Sequence, residues 1–426
     1  HVVLMALMAA VGLMSMFLVD LADLWFISML GRLETTAGIG FAGTIAFANL
    51  SLGLGIGTAA GVLVAVNLGK GLRIRARQFA TSTLLLNMSI AGVISLIALL
   101  FPDFLLGLLG AEGAALDEAR TYLRIVALGF PLLAGLLIFG FALRAAGDAR
   151  RAMFITLSIA IVNAILDPIF IFVFGLGIAG AALATLTAQA MGFIIGWIGL
   201  SRVHKLLGRP SFTQLKRDGG EIANIAVPVV LTQLATPALV AYMLLAAARF
   251  STEVVAAATI INRLVPVFFG VVFSLSGAVG PVIGQNYGAG QFDRVRAAFN
   301  TGIVFAVGYT ALMALVLFIF RHDVPGWFSA TSEAARLIVL FCTWLAWAWV
   351  FTGMQFVAQA AFNNLGHARL STAFNWGRVI IGTIVPAEIL SRYYGADGLL
   401  IGAAIGSVIV GLAAALYARW LIARLA

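Results

Sequence analysis

The run NAILDPIFIF (163–172) places a carboxylate, Asp167, among apolar neighbours and sets a proline, Pro168, directly after it. Asn163 precedes Asp167 by four residues, so the two share a helix face. Asp20 and Asp23 are three apart and share a face as well. Pro168 has no N–H, which deprives the Ala164 carbonyl of its helical partner and leaves an oxygen free to join a polar cavity. An acid inside an apolar span is costly and is a functional candidate by default. The plainer reading of Asp167 is a structural acid bonded to a neighbouring helix. For Thr185 it is a hydroxyl bonded to its own backbone. Glu388, near a helix end, reads as an interfacial or ion-pairing acid.

A second set of residues suits flat, greasy ligands. In WLAWAWVFTGMQF (344–356), Trp347, Phe351 and Met354 follow i, i+4, i+7 and would share a face of one helix. Phe268, Phe269 and Phe273 add aromatic surface from an earlier helix. Such faces bind ring systems and cations through cation–π attraction and adaptable methionine contacts. Ordinary helix packing, or an aromatic belt at the membrane interface, is the competing reading.

These groups need a scaffold, and composition says which. Of 426 residues, 62% are hydrophobic and only 10% are charged, against about a quarter in soluble domains. Mean hydropathy is +1.08. Apolar stretches of about 20 residues, each sufficient to cross a bilayer as a helix, recur along the whole chain. The short alternating segments of a β-barrel do not appear. The chain reads as an all-α polytopic membrane protein with twelve spans, near 2–30, 37–67, 80–101, 120–142, 152–174, 177–200, 222–250, 256–284, 298–320, 334–362, 369–391 and 398–424. The first apolar run is too long for a cleavable signal. A single cysteine, Cys342, excludes internal disulfides, and the four histidines have no zinc spacing. The net charge of +9 fits basic cytoplasmic loops better than nucleic-acid binding.

Loop charge sets orientation. Lys70, Arg73, Arg75 and Arg77 follow the second span, Arg144, Arg150 and Arg151 the fourth, and Arg202, Lys205, Arg209, Lys216 and Arg217 the sixth. Arg294 and Arg296 follow the eighth, while the third-to-fourth loop is acidic. Both termini are therefore expected in the cytoplasm. Asp23 and Asp167 then lie roughly 10 Å, and Thr185 roughly 12 Å, inside the outer helix ends at 1.5 Å per residue.

The chain also repeats itself. VNLGKGLRIRAR (66–77) aligns with QNYGAGQFDRVR (285–296), and LRAAGDAR (143–150) with FNNLGHAR (362–369), both at an offset of 219. Parallel six-helix halves follow: 1–200, a basic linker at 201–220, and 221–426. Halves of this kind enclose a transport path. In the repeat, Tyr242 stands opposite Asp23 and Pro386 opposite Asp167, so an ion site is expected in the N-terminal half alone.

Four stretches carry a family resemblance: LADLWFISMLG (21–31), LRAAGDARRAM (143–153), NAILDPIFIFVFGLGIAGAALAT (163–185) and GPVIGQNYGAG (280–290). They resemble the multidrug and toxic compound extrusion (MATE) family across nearly the whole chain, closer to its DinF-like than its NorM-like branch. The resemblance implies twelve helices in two lobes forming a V. It implies export of amphipathic, often cationic compounds in exchange for protons or sodium ions, without a cofactor. Asp23, Asn163, Asp167 and Thr185, with Asp20 beside them, match the residues that hold the coupling cation. Trp347, Phe351, Met354, Phe268, Phe273 and Tyr242 are assigned to the substrate cavity. The expected protein is a monomer of the bacterial inner membrane whose partners are small molecules and lipid. Relatives carry a proline early in helix 1, whereas this chain has none before Pro102. A lipid-linked oligosaccharide flippase of the same superfamily is the alternative. The Gly-x-Gly-Asp context of membrane aspartyl proteases is absent.

Overall fold

The structure, a computed structural model, describes residues 2–28, 33–328, 330 and 332–425, and their side chains except at 2–3, 13, 17–18, 20–25, 27–28, 33–37 and 332. It is all-helical along these residues. The segments are α1 (Val2–Ser28), α2 (Leu33–Gly69), α3 (Arg73–Leu100), α4 (Gly113–Leu128 and Phe130–Ala145, bent by 48°), α5 (Ala149–Val173) and α6 (Gly177–Val203). They continue as α7 (Phe212–Ala247), α8 (Thr252–Gly288), α9 (Phe292–Ile319), α10 (Ser332–Thr343, then Leu345–Asn364), α11 (368–394) and α12 (396–423). Among the described residues nine helices are long and apolar enough to cross a bilayer, or ten with the two parts of α4 as one span. Ala368–Ala423 counts as one of those nine, and Gly395 divides it into α11 and α12. With that division and α1, the segments number twelve.

Each break has a local cause. In α4 the chain bends at Gly129, and Pro131 opens the second part at a position where its missing N–H costs nothing. Gly395 takes φ 59°, ψ −137°, a conformation essentially restricted to glycine. Phe212 starts α7 ten residues before the apolar span at 222, because 212–220 continue the helix outside the apolar region. Asp218 in this extension is fully buried and accepts from Arg75 (2.7 Å), Ser82 (2.6 Å) and Gln214 (2.9 Å).

The chain forms two compact units, Val11–Val230 and Leu231–Ala426, the latter together with the start of α1 up to Ala10. The first packs around Ala42, Ala91, Leu123, Phe130 and Ala182, the second around Val254, Phe269, Leu317, Leu337 and Leu399. The repeat is visible inside each. Asn67 donates its side-chain amide to the Leu63 carbonyl, and Asn286 to that of Val282, both at 2.8 Å. Gly71 and Gly290 have φ 76° and 70°, Gly147 and Gly366 have 84° and 83°. These matched left-handed turns end α2, α8, α4 and α10.

Candidate functional site

α5 and α6 build a polar centre inside the first unit. Asn163 is 3% exposed and Asp167 0%, one turn apart on the same face of α5. Thr185 of α6 is half-buried and its hydroxyl accepts from the Asn163 amide at 3.2 Å. Two close approaches hold the helices together. A Cβ on Gly180 would lie 2.6 Å from the Phe170 carbonyl carbon and oxygen, and one on Gly192 would lie 2.7 Å from Ile159. Only a residue without a side chain lets α6 come this near.

Pro168 does not interrupt α5. The helix widens after it, and Ile169–Val173 is wound as a π-helix in which Phe174 N–H bonds the Ile169 carbonyl at 2.9 Å. Wide turns of this kind concentrate at functional sites. Asp20 and Asp23 belong to α1, and their side chains lie outside the described residues. In the repeat, Asn163, Asp167 and Thr185 correspond to Gly382, Pro386 and Ala404, none of which can ionise. Among the described residues no group of three or more His, Cys, Asp or Glu side chains gathers where a metal ion would sit.

The six residues assigned to a substrate cavity occupy different places in the second unit. Trp347 and Phe351 of α10, with Trp344, face Ile401, Ile405 and Val408 of α12 across an open cavity of about 300 Å³. Met354 is half-buried and does not line it. Leu345–Ala348 is wound as a 3₁₀ helix, and Trp347 and Phe351 on either side of its end still line the same cavity. Phe273 meets Trp349 at 6.1 Å and Phe356 at 5.5 Å between ring centroids, while Phe269 stacks on Trp349 at 5.1 Å. The Phe268 carbonyl accepts from Tyr309 at 2.7 Å. Tyr242 donates to Glu388 at 3.0 Å, and Arg249 reaches the same oxygen at 2.7 Å. Glu388 is thus an ion-pairing acid.

A further polar group was not singled out from sequence. Gln355, Gln359 and Asn363 follow i, i+4, i+8 on α10, and Ser371, Asn375 and Arg378 follow i, i+4, i+7 on α11. All six are buried. Their spacing within apolar helices is the signal that would have found them.

On the cytoplasmic side expected from loop charge, Asp148 caps α5 by accepting from the Arg151 N–H at 3.0 Å. It also pairs with the Arg151 guanidinium and with His204 at 2.8 Å. Burial pushes its carboxyl up, but the hydrogen bonds from His204 and Arg151 outweigh this and hold it below the usual carboxylate range.

Two helical repeats, a bilayer-length set of spans and isolated buried polar centres define a polytopic transport protein. The MatE family model matches residues 9–169 and again 228–387, once in each repeat. The chain belongs to this family, the multidrug and toxic compound extrusion transporters, whose members are carriers and not enzymes. It is 29% identical over 416 residues to the FAD transporter of Shewanella oneidensis, covering 96% of this chain and 92% of that one. It is 26% identical over 359 residues to the multidrug export protein MepA of Staphylococcus aureus, covering 80% and 77%. A mutant of the Vibrio cholerae MATE transporter VcmN superposes with a TM-score of 0.93 at 24% identity, over 99% of this chain and 96% of that one. A MOP superfamily transporter from Pyrococcus furiosus gives 0.90 at 24% identity, over 100% and 96%. The fold is therefore the MATE fold.

Proposed function

We propose that this transporter is a secondary active exporter. It expels amphipathic organic compounds, cationic ones among them, in exchange for protons or sodium ions. It works as a monomer in the bacterial inner membrane with both termini in the cytoplasm, and the coupling ion is its only inorganic requirement. The N-terminal half, 1–200, holds the coupling ion at Asp167, Asn163 and Thr185, with Asp23 and Asp20 contributed by α1. The C-terminal half, 221–426, recognises the substrate, and 201–220 joins them.

The observation that carries this reading is Asp167, a fully buried carboxylate beside the Asn163–Thr185 bond, with no ionisable counterpart in the other repeat. Burial at zero exposure makes the charged form of a carboxylate costly. A bound proton or sodium ion removes that cost, so ion binding stabilises the arrangement in which α5 and α6 are packed. One charge moving down 100 mV supplies about 2.3 kcal/mol, enough to shift a balance between two conformations. Substrate efflux from vesicles, with a pH gradient and a sodium gradient imposed separately, tests the proposal. Efflux that responds to neither gradient overturns it.

A second substrate reading has its own support. The relative that aligns with 96% of this chain is an FAD transporter, so a flavin nucleotide stands beside drug-like compounds as a candidate cargo.

A further inference from the structure

Arg378 lies in α11, ten residues beyond Ala368, so roughly 15 Å from that helix end at 1.5 Å per residue. That is near the middle of a hydrocarbon layer about 30 Å thick. The residue is 9% exposed. Among the described residues its guanidinium has neither an ion-pair partner nor a hydrogen-bond partner, and its Nε is fully buried. The membrane acids of this half are engaged elsewhere. Glu388 holds Arg249 and Tyr242, and Asp397 holds Arg336 at 2.6 Å.

On α10 and α11 the side-chain oxygens of Gln355, Ser371 and Thr383 are buried and, among the described residues, lack a bond of their own. The Gln355 amide points to α11, toward the Phe374 carbonyl one turn before Arg378, at 3.5 Å. An amide presents two N–H donors by turning over, and a hydroxyl donates by rotating. α11 is wound as a π-helix over Arg378–Ile384, starting at the arginine itself. The repeat counterpart of Arg378 is Ile159, so the scaffold does not require a cation here.

We propose that Arg378 is an anion-binding residue of the C-terminal half, holding the phosphate or carboxylate of an amphipathic transported compound with help from the buried amides and hydroxyls of α10 and α11. A buried charge without a counterion is retained where a ligand supplies the counterion. The planar guanidinium fork suits a phosphate or carboxylate better than a lysine would. The proposal narrows the cargo of the exporter proposed above to compounds that carry an anionic group. It rests on that reading for direction of transport but not for binding.

Flavins are the natural probes, because one ring system comes without phosphate, with one and with two. Full-length protein in phosphatidylcholine nanodiscs, with no ion gradient, would be titrated with riboflavin, FMN, FAD and the cation ethidium. FAD should bind wild type at least about tenfold tighter than riboflavin, the size of one charge-assisted contact. Inorganic pyrophosphate should compete with FAD. Arg378→Gln should lose the preference for FAD while riboflavin binding and thermal unfolding stay unchanged. Arg378→Lys, which keeps the charge and loses the fork, should retain part of the preference. Equal affinity of wild type for FAD and riboflavin overturns the proposal. So does an undiminished FAD preference in both variants, or equal weakening of all four ligands.

A second series in discs containing phosphatidylglycerol separates cargo from lipid. If that lipid raises the unfolding temperature of wild type but not of Arg378→Gln, and FAD does neither, the anion is a headgroup and the cargo assignment falls. Binding without a gradient and gradient-driven efflux fail separately, so neither result decides the other.

Discussion

The two halves of this transporter share a frame and differ at its centre. Both end their second helix on an asparagine bonded back one turn and a glycine turned left-handed. In both, the second arginine of the R-x-R pair reaches a backbone carbonyl at or just past the last helix of its half: Arg77 to Leu207 in the linker at 2.7 Å, Arg296 to Ala423 at 3.4 Å. Inside the spans the likeness stops. The N-terminal half buries an acid, Asp167, where the C-terminal half has Pro386. The C-terminal half buries a base, Arg378, where the N-terminal half has Ile159. Turns are fixed by backbone geometry, which a duplication keeps in both copies. Span centres tolerate any apolar residue, so each copy is free to acquire its own charge.

The largest effect should come from removing the N-terminal charge. Asp167→Asn should abolish gradient-driven export, with far-UV circular dichroism and equilibrium substrate binding preserved. The Asn variant exporting at the wild-type rate under the same gradient would remove coupling from this half.

Next come the loop arginines. Arg75 pairs with the fully buried Asp218 and with Glu221, whereas its counterpart Arg294 is exposed. Arg75→Ala should cost about 2 kcal/mol, less than a wholly buried pair because Arg75 is partly solvated. Arg294→Ala should stay within about 0.5 kcal/mol. Thermal unfolding of the two variants side by side checks the difference, and equal losses would mean that the arginines serve one common purpose.

A smaller effect sharpens the site itself. Gly180→Ala puts a methyl group against the Phe170 backbone. It should cost about 1–2 kcal/mol by overpacking and weaken cation-driven export by moving α6 from α5. Gly308, with nothing within 4 Å of an added Cβ, is the control in the other half. There alanine should be neutral or stabilising, by about 1 kcal/mol at most.

The smallest concerns Asp148, whose counterpart is His367. Its carboxyl is held below the ordinary range, so its contribution to stability is complete above about pH 4, the unfolded value. That contribution is lost as pH falls through the lower folded value. Asp148→Asn should therefore unfold below wild type at pH 7 and equally at pH 5, by less than about 1 kcal/mol. The gap should close only under strongly acidic conditions. A gap that closes between pH 7 and 5 would assign the titration to another group.

Much of this was legible in sequence because bilayer spans and glycine turns are local. Every predicted span has its helix, and the offset of 219 recurs in the matched left-handed turns and in the double match of the family model. The Asn163–Asp167 spacing and the level of Thr185 placed two helices against each other correctly. What failed was continuity. The Trp347–Phe351–Met354 face assumed an unbroken α-helix; the helix is wound as 3₁₀ over Leu345–Ala348, and Trp347 and Phe351 line one cavity while Met354 does not. The start of α7 at Phe212 was hidden because its first turns gain stability from Arg75 and Ser82, more than a hundred residues earlier in the chain. Arg378 passed unremarked because a lone arginine in a span can extend to the interface along its own stem. Only its burial, at 9% exposure, shows that it stays inside.

The division of labour between the halves is tested most directly by substrate affinity measured from pH 5 to 8, with and without sodium, in wild type and in Asp167→Asn. Linkage makes any coupling reciprocal. In wild type, substrate binding should weaken as protons or sodium ions fill the N-terminal site, and Asp167→Asn should bind substrate with one affinity under every condition. A wild-type affinity that ignores both ions, or an Asp167→Asn variant that responds to them as wild type does, would contradict an ion site in the N-terminal half.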